Sequence, residues 1–127
     1  MGGRGASSGV KNNHRLPNYK NAIIARNKLK NYLLNPKKSD GKNVFFNSIG
    51  YNMKKYKWME RDLRSGIANN KPYEITNRYG NTARAYNVNM PLGVNKKVIV
   101  VTGWRYDENS KKPRFITAYP AKTRAES

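Results

Sequence analysis

The sequence predicts an α+β domain, with N-terminal helices packed on a four-stranded, mainly antiparallel sheet. Three observations predict it. Apolar residues recur at helical spacing between about residues 22 and 69, and a period of two takes over from Tyr73 to Met90. The longest apolar run, Val98-Ile99-Val100-Val101, then feeds a turn and a returning strand. Residues 1–18 of the 127 carry Gly, Ser, Asn and basic side chains with little to bury, so a flexible linker or tail is expected there. The folded body is expected over 19–121, with a short polar tail at 122–127.

A short apolar piece at Ala22–Ala25 leads into a first helix over Asn27–Leu34. Asn27 is its expected cap, Leu29, Tyr32 and Leu33 its stripe, and Asn35-Pro36 its stop. Asp40 is placed to cap a second helix over Gly41–Ile49, with Val44, Phe45 and Ile49 turned inward and Gly50 at the C′ position. The third helix, Met53–Asn69, puts Met53, Tyr56, Glu60, Leu63 and Ile67 on one stripe. Trp58 falls almost opposite that stripe, among Lys54, Lys57, Arg61 and Arg64. Tyr73–Tyr79 and Thr82–Met90 read as strands joined at Gly80-Asn81, after which Pro91-Leu92-Gly93 breaks the chain. Val98–Val101 reads as a strand covered on both faces and runs on into Thr102, Trp104 and Arg105. Asp107–Ser110 supplies the turn and Arg114–Tyr119 the return.

Charge narrows the function. Twenty-six Lys and Arg against 7 Asp and Glu give a formal net charge of +19. Such an excess opposes compaction by self-repulsion and points to a polyanionic partner. Nucleic acid comes first, an anionic membrane second and a strongly acidic protein third. No apolar stretch approaches the ~20 residues that span a bilayer, so no membrane insertion is expected. The first residues also lack the apolar core of a signal peptide. The absence of cysteine removes disulfides, thiol catalysis and Cys-ligated zinc. A lone His14 and seven scattered carboxylates make no metal-ligand pattern, and neither metal nor cofactor is expected.

Four sequence words carry a resemblance. They are Leu29-Lys30-Asn31-Tyr32-Leu33-Leu34-Asn35-Pro36, then Gly41-Lys42-Asn43-Val44-Phe45-Phe46 followed by Gly50-Tyr51. Val101-Thr102-Gly103-Trp104 and Pro113-Arg114-Phe115-Ile116-Thr117-Ala118-Tyr119-Pro120 complete the set. In this order they resemble a family of C-terminal domains of bacterial polymorphic toxins and phage head-morphogenesis proteins, over about residues 22–120. That family is similar to the barnase–EndoU–colicin–RelE superfamily of metal-independent ribonucleases, which carry N-terminal helices on a four-stranded antiparallel sheet. Where the family has Lys-Ala before its Phe-Phe helix, this chain has Lys42-Asn43, so the lysine is kept. The resemblance implies a monomeric toxin-type endoribonuclease, cleaving RNA, with tRNA as the expected substrate. It further implies delivery from a larger secreted or phage protein, as in contact-dependent inhibition, and action in the target-cell cytoplasm. A cognate immunity protein is implied too, and the charge predicts an acidic one.

Cleavage of RNA without metal makes the ribose 2′-oxygen attack the adjacent phosphorus and leaves a 2′,3′-cyclic phosphate. It requires a group to take the 2′-proton, donors for the charge developing on the phosphorane, and an acid for the leaving 5′-oxygen. Lys42 is the first candidate, because a cation in the first turn of a helix opposes the dipole and bound phosphate would remove that conflict. A solvated lysine explains it equally well. Thr117 could donate to a phosphate oxygen from the sheet margin, and Tyr119 could give a proton or stack. A backbone-satisfied Thr and a half-buried Tyr at a strand end are their plain alternatives. Arg105 and Arg114 are expected to face each other across the hairpin, repelling unless an anion lies between them. They suit a phosphate clamp, or else pair with Asp107 and Glu108. Thr102 and Trp104 belong to packing.

Lys54, Lys57, Trp58, Arg61 and Arg64 offer a nucleic-acid-binding face of cations around a stacking ring, unless the N-terminal segment covers the indole. His14 would suit a general base but lies in the expected tail. A site without histidine should stay active at alkaline pH, since Lys and Tyr titrate higher. The alternative to an enzyme is a nucleic-acid-binding module of a phage or mobile element. A metal-dependent deoxyribonuclease is disfavoured by the missing carboxylate/histidine cluster.

Overall fold

The computed structural model of the chain describes residues 15–38, 41–76 and 82–121. It is an α+β fold in which three helices precede a four-stranded antiparallel sheet. Helix α1 begins as one α-turn, Arg26–Lys28, and continues as π-helix over Leu29–Leu33, burying Leu29 and Leu33. Asn27 is not its cap. The preceding residue is Ala25, without a side-chain cap, and Asn27 Oδ1 instead accepts from Asn31 Nδ2 at 2.8 Å. Asn35 Oδ1 accepts from Lys37 N at 2.8 Å, which helps turn the chain out of the helix.

Helix α2 spans Lys42–Ser48, and Gly50 follows it with φ 106°, as a C′ glycine should. The expected N-cap, Asp40, lies outside the described residues. Ile49 is fully buried as expected, but the rest of the inward face of α2 differs, because Phe46 rather than Phe45 is fully buried and Val44 is 67% exposed. Adjacent phenylalanines leave the phase of so short a helix ambiguous by one residue, or ~100°. The observed phase places Lys42, Phe46 and Ile49 at i, i+4 and i+7, so the lysine heads the buried stripe. A 3-10 turn over Met53–Lys55, capped by Asn52 Oδ1 accepting from Lys55 N, leads into α3, Tyr56–Asn69. Met59, Leu63, Gly66 and Ile67 form its buried face. Glu60 lies at the margin and pairs with Arg64, because the stripe is rotated toward Met59.

The sheet runs β1 Pro72–Thr76, β2 Thr82–Leu92, β3 Val98–Tyr106 and β4 Pro113–Pro120, in that spatial order. The expected turn at Gly80-Asn81 and the end of the first expected strand, Asn77–Tyr79, lie outside the described residues. Pro91 and Leu92 stay in the strand, opposite Ile99 and Val98, so the break comes only at Gly93. The contiguous buried run of β3 is Val100–Trp104 rather than Val98–Val101, since Ile99 is 51% exposed, and the helices cover only one face of the strand. Val88, Met90, Val100, Trp104 and Phe115 meet the helices in one core. Thr102 is buried with them, donating to Val88 O at 2.7 Å and accepting from Trp104 Nε1 at 2.8 Å.

Packing begins before residue 19. Leu16 is buried in the core, Arg15 Nε donates to Ala68 O, and Tyr106 donates its hydroxyl proton to Pro17 O. Further on, Ile23 pairs in parallel with the outer edge of β4, donating to Pro113 O and accepting from Phe115 N.

A second anchor orients α2. Val94 N donates to Ile49 O at 2.7 Å, and the buried Tyr51 hydroxyl donates to Asp62 Oδ2 at 2.6 Å while accepting from Gly93 N at 2.9 Å. One phenol thus ties the end of α2 to α3 and to the β2–β3 loop. Tyr51→Phe strands the Gly93 N–H and removes the phenol donor of Asp62 Oδ2, so it should cost about 2 kcal/mol of unfolding free energy in a urea titration.

Burial pushes both the Tyr51 and the Tyr106 hydroxyls above the ordinary value of 10.0, Tyr106 to about 12. A raised folded value means that the neutral phenols stabilise the fold below pH 10.0, and that this contribution is lost as pH rises toward 12. The thermal midpoint should therefore fall steeply above pH 10, and Tyr106→Phe should flatten that fall.

Candidate active site and nucleic-acid interface

The sheet has one face under the helices and one open face. Alternation along β3 sends Ile99, Val101, Gly103 and Arg105 to the open side. A groove of about 250 Å³ lies there, lined among others by Ile75, Asn87, Gly103, Arg105, Ile116 and Thr117. Gly103 forms its floor. A Cβ at that position would lie 3.3 Å from Thr117 Cγ2 and 3.5 Å from Asn87 Oδ1, so a side chain would crowd the groove.

A β-bulge sets what the neighbouring edge strand presents. Thr117 pairs with Gly103 and Phe115 with Trp104, so Ile116 is the extra residue. The bulge lets both Phe115 and Ala118 enter the core, three positions apart, while Thr117 stays on the open face. Tyr119, two residues on, shares that face and is 41% exposed.

Lys42 reaches the same margin from the start of α2. Its Nζ lies 3.5 Å from Thr117 Oγ1, across 75 residues of sequence, and is half-buried. It also sits over the Tyr32 ring, 5.5 Å from the centroid. No described carboxylate forms an ion pair with it. Lys42, Thr117 and Tyr119 are thus brought to one side of the sheet, with Arg105 exposed on the same face. Thr117 and Arg105 line the groove, and Lys42 joins it through its contact with Thr117, so the margin offers cations and a hydroxyl donor suited to binding and polarising a phosphodiester.

Arg105 and Arg114 are register partners, as the hairpin predicts. The anion beside them is internal: Arg114 Nε and Nη2 donate to the two oxygens of Asp107, both at 2.8 Å. That bidentate pair holds the Asp107 carboxyl below its ordinary range. It commits Arg114 to Asp107, whereas Arg105, exposed on the open face, feels the Asp107 charge only at longer range.

The basic face of α3 is present in part. Trp58 is 39% exposed, with Lys54, Lys57 and Arg61 exposed around it and the Lys55 ammonium 4.7 Å from its ring centroid. Arg61 also contacts Asp62 at 3.3 Å. Arg64 does not join this row. Its guanidinium turns to Glu60 Oε2 and to Ala22 O, where it fastens the N-terminal segment to α3.

Sequence reading missed Asn87, Lys28 and Tyr32. Asn87 was legible as the open-face position between Tyr86 and Val88. Lys28 and Tyr32 are one turn apart on a helix, and the Lys28 ammonium lies 5.5 Å from the Tyr32 centroid. His14 lies outside the described residues. Among the described residues no group of three His, Cys, Asp or Glu could hold a metal ion, and no helix is long and apolar enough to cross a membrane.

The family described as "Domain of unknown function (DUF6883)" matches residues 15–122, and the chain belongs to that family. No curated protein and no solved structure matches the chain.

The two tryptophans differ sharply, Trp104 being 1% exposed. Acrylamide should quench a single accessible fluorescent component, and Trp58→Phe should abolish that component while leaving the shielded emission of Trp104. Added single-stranded RNA should protect the same component in the wild type.

Proposed function

We propose that this DUF6883 domain is a metal-independent endoribonuclease of the toxin type, cleaving RNA through a 2′,3′-cyclic phosphate. One observation carries the reading: the Lys42 ammonium and the Thr117 hydroxyl meet at 3.5 Å beside an open-face groove. The two residues lie 75 positions apart in the sequence, and a lysine needs no such partner to be solvated. Both can donate to non-bridging oxygens of one phosphate and so stabilise the charge that develops when the 2′-oxygen attacks. Tyr119 is the candidate to protonate the leaving 5′-oxygen, and Arg105 to contact an adjoining phosphate. Arg114 would act indirectly, by holding Asp107. The row Lys54, Lys57, Trp58 and Arg61 would attract and stack the strand away from the cut.

The same reading makes tRNA the expected substrate and an acidic immunity protein the expected partner, the second on the ground of the +19 charge. Delivery from a larger secreted or phage protein, and action as a monomer in a target-cell cytoplasm, follow from the resemblance of the sequence words alone.

The test is incubation of the purified chain with total RNA in EDTA, followed by end-group analysis. Cleavage with cyclic-phosphate ends is expected for the wild type. Lys42→Ala and Thr117→Ala should each lower the rate by about 100-fold or more, the usual cost of losing a preorganised donor. Binding without cleavage, unaltered by either substitution, would point instead to a nucleic-acid-binding module.

A further inference from the structure

The Tyr32 ring carries two lysines. Lys42 Nζ and Lys28 Nζ each lie 5.5 Å from its centroid, one from α2 and the other from α1. All three side chains are half-buried. No described carboxylate pairs with either ammonium, whereas Arg61, Arg64 and Arg114 each have a carboxylate partner. Two like charges drawn to one ring, and half-withdrawn from water, repel each other. A ring satisfies part of each cation's field but neutralises neither. An anion beside them would do so, and the Thr117 hydroxyl, 3.5 Å from Lys42 Nζ, offers such an anion a hydrogen-bond donor.

We propose that Lys28 is the second cation of the phosphate site and that Tyr32 positions both lysines. The ligand is a backbone phosphodiester of single-stranded RNA, neighbouring the one held by Lys42 and Thr117. With Arg114 committed to Asp107, Lys28 takes the part that a second clamp arginine would have played. Tyr32 acts through the lysines and is a positioning residue. Its accessible π-surface is already engaged by cations, so base stacking is not its role. The proposal rests on the ribonuclease reading, which supplies the phosphodiester chain.

The experiment separates binding from cutting. Affinity for an all-2′-deoxy single-stranded oligonucleotide, which lacks the attacking hydroxyl, is measured by fluorescence anisotropy across a salt series. Each phosphate contact on a single strand contributes about 0.7 to the slope of log affinity against log salt. Lys28→Ala should lower that slope by ~0.7, Lys28→Arg should restore it, and Lys20→Ala, at an exposed position on the 3-10 turn Tyr19–Asn21, should change it less. Tyr32→Leu should lower the slope at least as much as Lys28→Ala, while Tyr32→Phe, which keeps the ring, should not. Circular dichroism checks that each variant is folded, and the Lys28 comparison stands even if Tyr32→Leu is not.

On cleavable RNA, Lys28→Ala should raise KM with little change in kcat, in contrast to Lys42→Ala, which should lower kcat. A slope for Lys28→Ala no lower than that for Lys20→Ala would overturn the proposal, as would a folded Tyr32→Leu with the wild-type slope. If the slopes fall as expected but the wild-type chain does not cut RNA, the two-lysine phosphate site stands and the ribonuclease reading falls.

Discussion

In β4 a single extra residue, Ile116, shifts the phase of the strand between its two ends. A regular strand would put Phe115 on the same face as Thr117 and Tyr119, since all three are odd-numbered. An aromatic ring would then lie in the groove and the core would lose one of its largest buried side chains. The bulge resolves this conflict. Phe115 packs edge-on against Trp104 at 5.3 Å between centroids, and the hydroxyl two residues later remains outside. Burial of a phenylalanine is worth roughly 1.5–3 kcal/mol, more than a local ladder irregularity costs, so the core dictates the bulge and the site inherits it.

Electrostatics divides the cations into two classes. Arginines in the described residues are largely given to structure: Arg64 to Glu60 and Ala22, Arg84 to the carbonyls of Asp107 and Ser110, and Arg114 to the Asp107 carboxylate. Their planar forks suit fixed, multidentate bonding. Lysines near the helices lean instead on rings, with Lys28 and Lys42 on Tyr32, Lys30 on Tyr56 and Lys55 on Trp58. Such contacts are worth only about 0.5–1 kcal/mol each at exposed sites. They orient the ammonium without discharging it. A chain with 26 basic residues and 7 acidic ones therefore keeps much of its positive field unneutralised.

The sequence was most readable where periodicity is long. Helix α3 and the β3–β4 hairpin emerge at nearly the right places because many positions vote on their phase. Helix α2, with seven residues, has too few, and the choice between Phe45 and Phe46 could not be made from spacing. That choice decides where Lys42 points. The Arg105–Arg114 pairing was legible because a turn at Asp107–Ser110 fixes the register, yet the bidentate bond to Asp107 depends on side-chain rotamers that no pattern encodes. The meeting of Lys42 with Thr117 was anticipated from chemistry. The second lysine on Tyr32 was not: Lys28 and Tyr32 stand at i, i+4, but that spacing does not say that Lys42, from another helix, joins the same ring.

The pairing of Ile23 with the rim of β4 has a kinetic side. Each strand of the meander finds its partner through a nearby turn, so the sheet can zip up from local encounters. The N-terminal segment must instead return across almost the whole molecule, its Pro17–Tyr106 contact joining residues 89 apart. Loop-closure entropy makes that return late in assembly and early in fraying. While it is open, Pro113 O and the Phe115 amide are left without strand partners on an edge that could recruit another molecule. The closing segment thus doubles as a guard against edge-to-edge aggregation, and its detachment is the step at which a partly folded population of this domain would become sticky.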